Sequence, residues 1–305
     1  MSLGYDRPLY ILAFDHRTSF QTKLFGISGA PTPADRERMA EAKLIILDGL
    51  LAVAESTPSD ILGALTDEEY GARAARAARA RGLTLAMSAE KSSQPEFELE
   101  YGDRFAAHIE AFEPDFVKVL VRYNPEGDRA MNDRQAARLA QLSAWLAPRT
   151  PKFLFELIVP PEPAQLVARE SEPESFAAEL RAGLVATAIG ELHAAGVEPD
   201  VWKVEGLETA ADYRTVADAA RAGGRDRVGC VVLGSGADEE TVAHWLREAA
   251  GVEGFIGFAI GRTIFWDAIS GWLAGTVDRD GAVEAIAANY RRTIELYTRA
   301  AQATV

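Results

Sequence analysis

Eight times along these 305 residues a short apolar run gives way to a stretch of helical period rich in Ala, Arg and Glu, and no other feature narrows the fold so far. The runs lie at 9–14, 60–65, 83–87, 115–121, 152–159, 200–208, 228–233 and 254–260. They are apolar throughout rather than alternating, the pattern of strands buried on both faces in a parallel sheet. Helices are expected at 34–54, in the Ala/Arg segment ending at Arg81, and at 102–112, 132–147, 175–195, 208–222 and 238–249, with two more after the last run. Their punctuation agrees: Thr32-Pro33 supplies an N-cap and a first-turn proline, while Gly82 and Gly196 stop the segments before them. No Pro/Ser-rich linker divides the series. The expectation is an α/β chain forming one (β/α)8 (TIM) barrel over residues 1–305, with an extra C-terminal helix at about 281–300. A doubly wound open sheet is the alternative, but no Gly-x-Gly-x-x-Gly follows the first run.

Composition excludes some functions. A hydrophobic fraction of 48% is ample for a large core, and a formal charge of −14 argues against nucleic acid or an anionic membrane as partner. The single cysteine, Cys230, rules out an internal disulfide framework and fits a reducing cytosol. No run reaches membrane-spanning length and the N-terminus lacks a signal-peptide pattern, so a soluble cytoplasmic protein is expected. A homo-oligomer stays open, and Trp266 and Trp272 are read as core rather than interface.

In a barrel of this kind, chemistry gathers at the C-terminal ends of the strands. Here those ends carry Asp15, His16 and Arg17, then Asp67 and Glu68, Glu90 and Lys91, Lys118 and Arg122, Glu156, Lys203 and Glu205, and Arg262. Strand alternation puts Lys118 with Arg122 on one face, and Lys203 with Glu205 on another. Lys203 interrupts the apolar run DVWKVEGLE, where its ammonium must find a partner or lose its proton. A lysine of the second kind attacks carbonyls and forms a Schiff base. Paired structural roles account for any one of these residues, but burying Asp15, Lys118, Glu156 and Lys203 together costs more than an apolar filling and points to a site. Gly234-Ser235-Gly236 and Gly261-Arg262 close the seventh and eighth runs, where this fold often binds phosphate on backbone amides. His108, His193 and His244 fall in predicted outer helices, which leaves no multi-histidine zinc site and favours metal-free amine chemistry. Magnesium on Asp15, Asp67 and Glu90 is the competing arrangement.

The strings ILAFDHR, TDEEYG, AEKS, FVKVLVRYNPEGD, FLFELIVP, DVWKVEG, LGSG and FAIGRTIFW occur in that order. Over about residues 8–275 this order resembles the 5-dehydro-2-deoxy-phosphogluconate aldolase domain of inositol catabolism, often fused behind a sugar kinase. It is similar, more distantly, to class I tagatose-1,6-bisphosphate and sulfofructose-phosphate aldolases. The resemblance implies a Schiff base on Lys203, proton handling by Asp15 and Glu156, Lys118 as the strand-four lysine, and phosphate on the strand-eight Gly261-Arg262. The expected activity is reversible cleavage of a phosphorylated keto-sugar or keto-acid to dihydroxyacetone phosphate and an aldehyde, without cofactor. The preferred substrate would be 5-dehydro-2-deoxy-gluconate 6-phosphate, released as malonate semialdehyde on the aldehyde side. Gly234, Ser235, Gly236, Gly261 and Arg262 would bind phosphate, Arg122 or Arg17 a substrate carboxylate, and His16 and Lys91 further substrate groups. His16 stands where the tagatose enzymes carry Gln, so contacts there are expected to differ. A magnesium-dependent lyase and a non-catalytic phospho-sugar binder are the alternatives.

Overall fold

The computed structural model describes residues 2–167 and 180–303. Eight strands, β1 (Leu9–Ala13), β2 (Leu62–Thr66), β3 (Thr84–Ser88), β4 (Phe116–Arg122), β5 (Lys152–Ile158), β6 (Val201–Val204), β7 (Gly229–Leu233) and β8 (Phe255–Ile260), pair in chain order and close on themselves. Every pairing is parallel, and β8 meets β1 with Leu9 opposite Gly257 and Leu12 opposite Ile260. The helices are α1 (Pro33–Ala54), α2 (Ala72–Ala80), α3 (Phe105–Glu110), α4 (Arg129–Leu146), α5 (Pro163–Val167), α6 (Arg181–Ala194), α7 (Ala210–Arg221), α8 (Glu239–Ala249), α9 (Arg262–Ala274) and α10 (Arg279–Ala303). The expected (β/α)8 barrel is therefore what forms. Of the helix expected at 175–195, the stretch 175–179 lies outside the described residues. The one expected at 102–112 splits into a tight turn at Gly102–Arg104 and the short α3.

Two apolar layers hold the fold. Inside the barrel, Leu9, Ile11, Leu65, Phe116, Leu154, Val201 and Val231 form an apolar filling. Alternate residues of the same strands face outward and pack with the inner stripes of the helices. Thr32 opens α1 with a full capping box to Asp35, and Thr209 does the same for α7 with Asp212. At the N-terminal rim the Asp200 carboxylate accepts the Gly4 and Phe153 N–H groups at 2.8 Å and Lys152 Nζ at 2.9 Å, tying the chain start to β5. Trp266 and Trp272, expected in the core, are half-buried against it, with the Arg38 guanidinium lying 6.0 Å over Trp272. Among the described residues no helix is long and apolar enough to cross a membrane.

Candidate active site

The inward positions above the apolar filling are the charged ones. Lys118 is two residues above Phe116 on β4, Glu156 two above Leu154 on β5, and Lys203 two above Val201 on β6, so one pleat period converts floor into site. Glu156 lies directly beside Lys203 in the β5–β6 register. Asp15 and Glu90 enter from the loops after β1 and β3. Lys118 Nζ donates to Asp15 Oδ2 at 2.7 Å and Glu90 Oε1 at 3.0 Å, and stands 2.9 Å from Glu156 Oε2. The same Glu156 oxygen is 2.9 Å from Lys203 Nζ. Lys118 and Lys203 are only 2% and 4% exposed, so both are dry ammonium positions distinguished by their partners.

That difference sets the electrostatics. Burial works against a charged Lys118, but Asp15, Glu156 and Glu90 outweigh it and hold the ammonium well above its ordinary value. Burial also disfavours ionised Asp15 and Glu156, yet Lys118 and Lys203 together keep both carboxyls below the usual range. For Glu90 burial prevails over Lys118 and Arg17, and its carboxyl is pushed up. One cation is thus locked in a cage of three carboxylates. Lys203 has one.

These groups line a cavity of about 420 Å³ at the C-terminal mouth, together with His16, Lys91, Arg122, Glu205, Ser235 and Arg262. Arg262 Nη2 donates to the Ser235 carbonyl at 2.7 Å, joining the β7 and β8 ends into one corner. Gly236 sits at φ +76°, and a Cβ there would lie 2.3 Å from the Arg262 guanidinium carbon. A Cβ on Gly261 would meet the Ala13 carbonyl at 2.0 Å, so that glycine lets β8 close on β1. Gly234 faces Ile260, and none of the three glycines presents a side chain to the cavity; their part is to let the corner form. Gly261 is also the N-cap of α9 and gives it no side-chain cap, leaving the first amides open beside Arg262. The N-terminus of α8 differs, since Asp238 caps it through the Thr241 N–H.

Arg17, anticipated as a substrate clamp, lines the cavity with its guanidinium already engaged by protein acceptors. Its guanidinium donates to the Glu90 carbonyl at 2.6 Å, to Glu90 Oε1 at 3.3 Å and to Glu100 at 3.1 Å, fastening the loop after β3 to the end of β1. Arg122 donates to the Gln94 carbonyl at 3.2 Å and is exposed at the rim, where Lys91 pairs with Glu98 at 3.4 Å. Asp67 is outside the cavity altogether. Fully buried, it pairs with Lys43 of α1 and accepts the Tyr70 N–H at 2.8 Å. Asp15, Asp67 and Glu90 consequently do not converge, and among the described residues no three His, Cys, Asp or Glu side chains are grouped to hold a metal.

His16 lies beside the corner, edge-on to Phe265 with ring centroids 6.1 Å apart, and its Nδ1 is buried without a partner. Burial drives its pKa from 6.5 down to about 4, so the ring is neutral near pH 7. His193 of α6, edge-on to Trp202 of β6, is lowered by burial to about 4 as well. A depressed histidine binds more protons unfolded than folded, so each contributes stability that is complete above pH 6.5 and declines as pH falls towards 4. Urea midpoints measured across this window are expected to slope less steeply in a His16→Asn/His193→Asn double variant than in the wild type. An identical slope would refute the assignment.

Fold and site together define a (β/α)8 barrel with a buried lysine–carboxylate array at its C-terminal mouth. Over residues 5–301 the chain matches the family described as "Uncharacterized protein conserved in bacteria (DUF2090)", and it belongs to that family. No curated protein matches it. Among solved structures it is similar to a fructose-bisphosphate aldolase from Plasmodium falciparum, at 15% identity and TM-score 0.58, covering 100% of this chain and 96% of that one. It is also similar to Cgl0159 from Corynebacterium glutamicum (Brevibacterium flavum), at 18% identity and TM-score 0.56, covering 95% and 88%. A Schiff base-forming fructose-1,6-bisphosphate aldolase gives 14% identity and TM-score 0.54, covering 94% of each chain. At these identities the likeness is one of fold.

Proposed function

We propose that the protein is a class I aldolase that cleaves a phosphorylated keto-sugar or keto-acid to dihydroxyacetone phosphate and an aldehyde. The observation that carries this reading is the unequal treatment of two buried lysines: among the described residues Lys118 is caged by three carboxyl groups, whereas Lys203 pairs with Glu156. A nucleophilic amine must shed a proton, and only Lys203 has a single adjacent base to take it. Its nitrogen then adds to the substrate ketone, and Glu156 gives the proton back to the carbinolamine oxygen, which leaves as water to form a protonated imine and restores the carboxylate. Glu156, 2.9 Å from Lys203, takes the proton from the C4 hydroxyl. The C3–C4 pair flows into the imine, the aldehyde leaves, and protonation at C3 followed by hydrolysis returns the free amine. Asp15, fixed on Lys118, assists formation and dehydration of the carbinolamine, and Lys118 stays charged throughout to hold Asp15, Glu90 and Glu156 in place.

Phosphate would sit in the Ser235–Arg262 corner, on the uncapped start of α9, with neutral His16 alongside. With Arg17 engaged by Glu90 and Glu100, Arg122 is the cation left to meet a second substrate anion. The similar barrels of two aldolases support the reaction class. The magnesium arrangement on Asp15, Asp67 and Glu90 does not assemble, because Asp67 is sealed against Lys43. Incubation with dihydroxyacetone phosphate and reduction by borohydride is expected to leave a mass adduct on Lys203. An adduct on Lys118 would overturn the assignment of the nucleophile, and no lysine adduct with the phosphate compound bound would overturn the class.

A further inference from the structure

The cavity contains a carboxylate that the proposed chemistry does not use. Glu205 follows Lys203 by two residues, faces inward with it and lines the same cavity. Its Oε2 accepts the Val159 N–H at 3.0 Å, which fixes the side chain. Its counter-charge is Arg181, which donates to the Gly206 carbonyl at 3.3 Å and whose Nε forms a long ion pair with Glu205 at 3.9 Å, beyond hydrogen-bond reach. The neighbouring wall is apolar, formed by Leu120 of β4 and Ile158 of β5. A carboxylate can accept about four hydrogen bonds, and among the described residues this one accepts the single bond from Val159.

Position gives that spare capacity a use. With strands in chain order around a closed barrel, the Ser235–Arg262 corner on β7 and β8 and the Leu120–Ile158 wall on β4 and β5 flank Lys203 from opposite sides. A substrate with its phosphate in the corner and its ketone carbon at Lys203 extends towards that wall. The fragment beyond the breaking bond, which departs as the aldehyde, therefore lies beside Glu205. A half-buried acceptor beside an apolar wall discriminates for a hydroxyl, because a partner lacking it covers the acceptor without replacing the hydrogen bond it had to water.

Resting on the aldolase reading, we propose that Glu205 is a specificity-determining residue that accepts a hydrogen bond from a hydroxyl on the aldehyde half of the substrate. The substrate class is then a phosphorylated keto-sugar hydroxylated beyond the scissile bond. A deoxy keto-acid would bring a methylene, and a second negative charge, towards the same carboxylate.

The test is aldol addition of dihydroxyacetone phosphate to glycolaldehyde, acetaldehyde and malonate semialdehyde by the full chain. The wild type is expected to favour glycolaldehyde over acetaldehyde in kcat/KM, and Glu205→Met to cut that ratio about tenfold or more. Glu205→Gln, which retains an oxygen for Val159, is expected to fall between them and guards against a folding artefact. Using the ratio of two aldehydes within each variant cancels their intrinsic reactivity and any general loss of activity. An unchanged ratio in both variants, or malonate semialdehyde as the wild type's best acceptor, would overturn the proposal while a Lys203 adduct still formed. Absence of that adduct would instead mark failure of the aldolase reading itself.

Discussion

Lys203→Met is expected to lose turnover by a factor on the order of 10³ to 10⁶, as removal of a covalent nucleophile does elsewhere, with the fold retained. Retention follows from the pairing. Methionine is close to lysine in length, and Glu156 keeps Lys118 at 2.9 Å when Lys203 is gone, so no carboxylate is stranded. The contrasting variant is Lys118→Met, which strips the shared cation from Asp15, Glu90 and Glu156 at once. Three buried carboxyls would then have to take up protons or rearrange, and loss of activity there would accompany a fall in Tm. Measuring kcat and Tm for both separates chemistry from architecture. More than about a tenth of wild-type turnover in Lys203→Met would sink the Schiff-base mechanism, since no partial substitute for the amine is available.

The second large effect concerns stability. Lys43 and Asp67 are both fully enclosed, and Lys43 Nζ also donates to the His16 carbonyl at 3.0 Å. Lys43→Met leaves an uncompensated carboxylate in the wall between barrel and helix, a defect worth about 3–5 kcal/mol when a buried pair is broken from one side. Urea unfolding should register that loss at neutral pH. Replacing both residues, as Lys43→Met/Asp67→Leu, should recover most of it, because a well-packed apolar pair of similar volume is often no less stable than the ions. A single-variant loss under about 1 kcal/mol would mean that water or another donor reaches Asp67, contrary to the enclosure described.

The two cases show what a sequence can reveal. Lys203 and Glu156 were legible because a charge inside an apolar run has few explanations, and pleat alternation fixed which face they share. The barrel was legible for a similar reason: eight doubly buried runs separated by capped helices leave little else to build. Lys43 was not. In the helix PADRERMAEAKLIILDGLLAVA a lysine has the look of any solvated side chain, and only the docking of α1 shows that it points inward. Asp67 and Arg17 share that blindness, since each stands at a strand end among plausible site residues. Their partners, Lys43 and Glu100, are brought to them by tertiary contacts between segments remote in the chain. Likewise the helix expected from Gly102 starts late: Gly102, at φ +50°, lies outside helical geometry, a tight turn takes Gly102–Arg104, and α3 begins at Phe105.

The order of the strands has a consequence for how this protein comes into being. Arg262 follows β8 and Asp15 follows β1, and the β8–β1 seam brings together segments remote in the chain. A nascent chain halted before Phe255 holds Lys203 and Glu156 but has neither Arg262 nor the strand that seals the mouth. The mouth is thereby complete only once β8 has been made and docked on β1, and a product truncated before it is a blunt one, without the arginine proposed to hold phosphate.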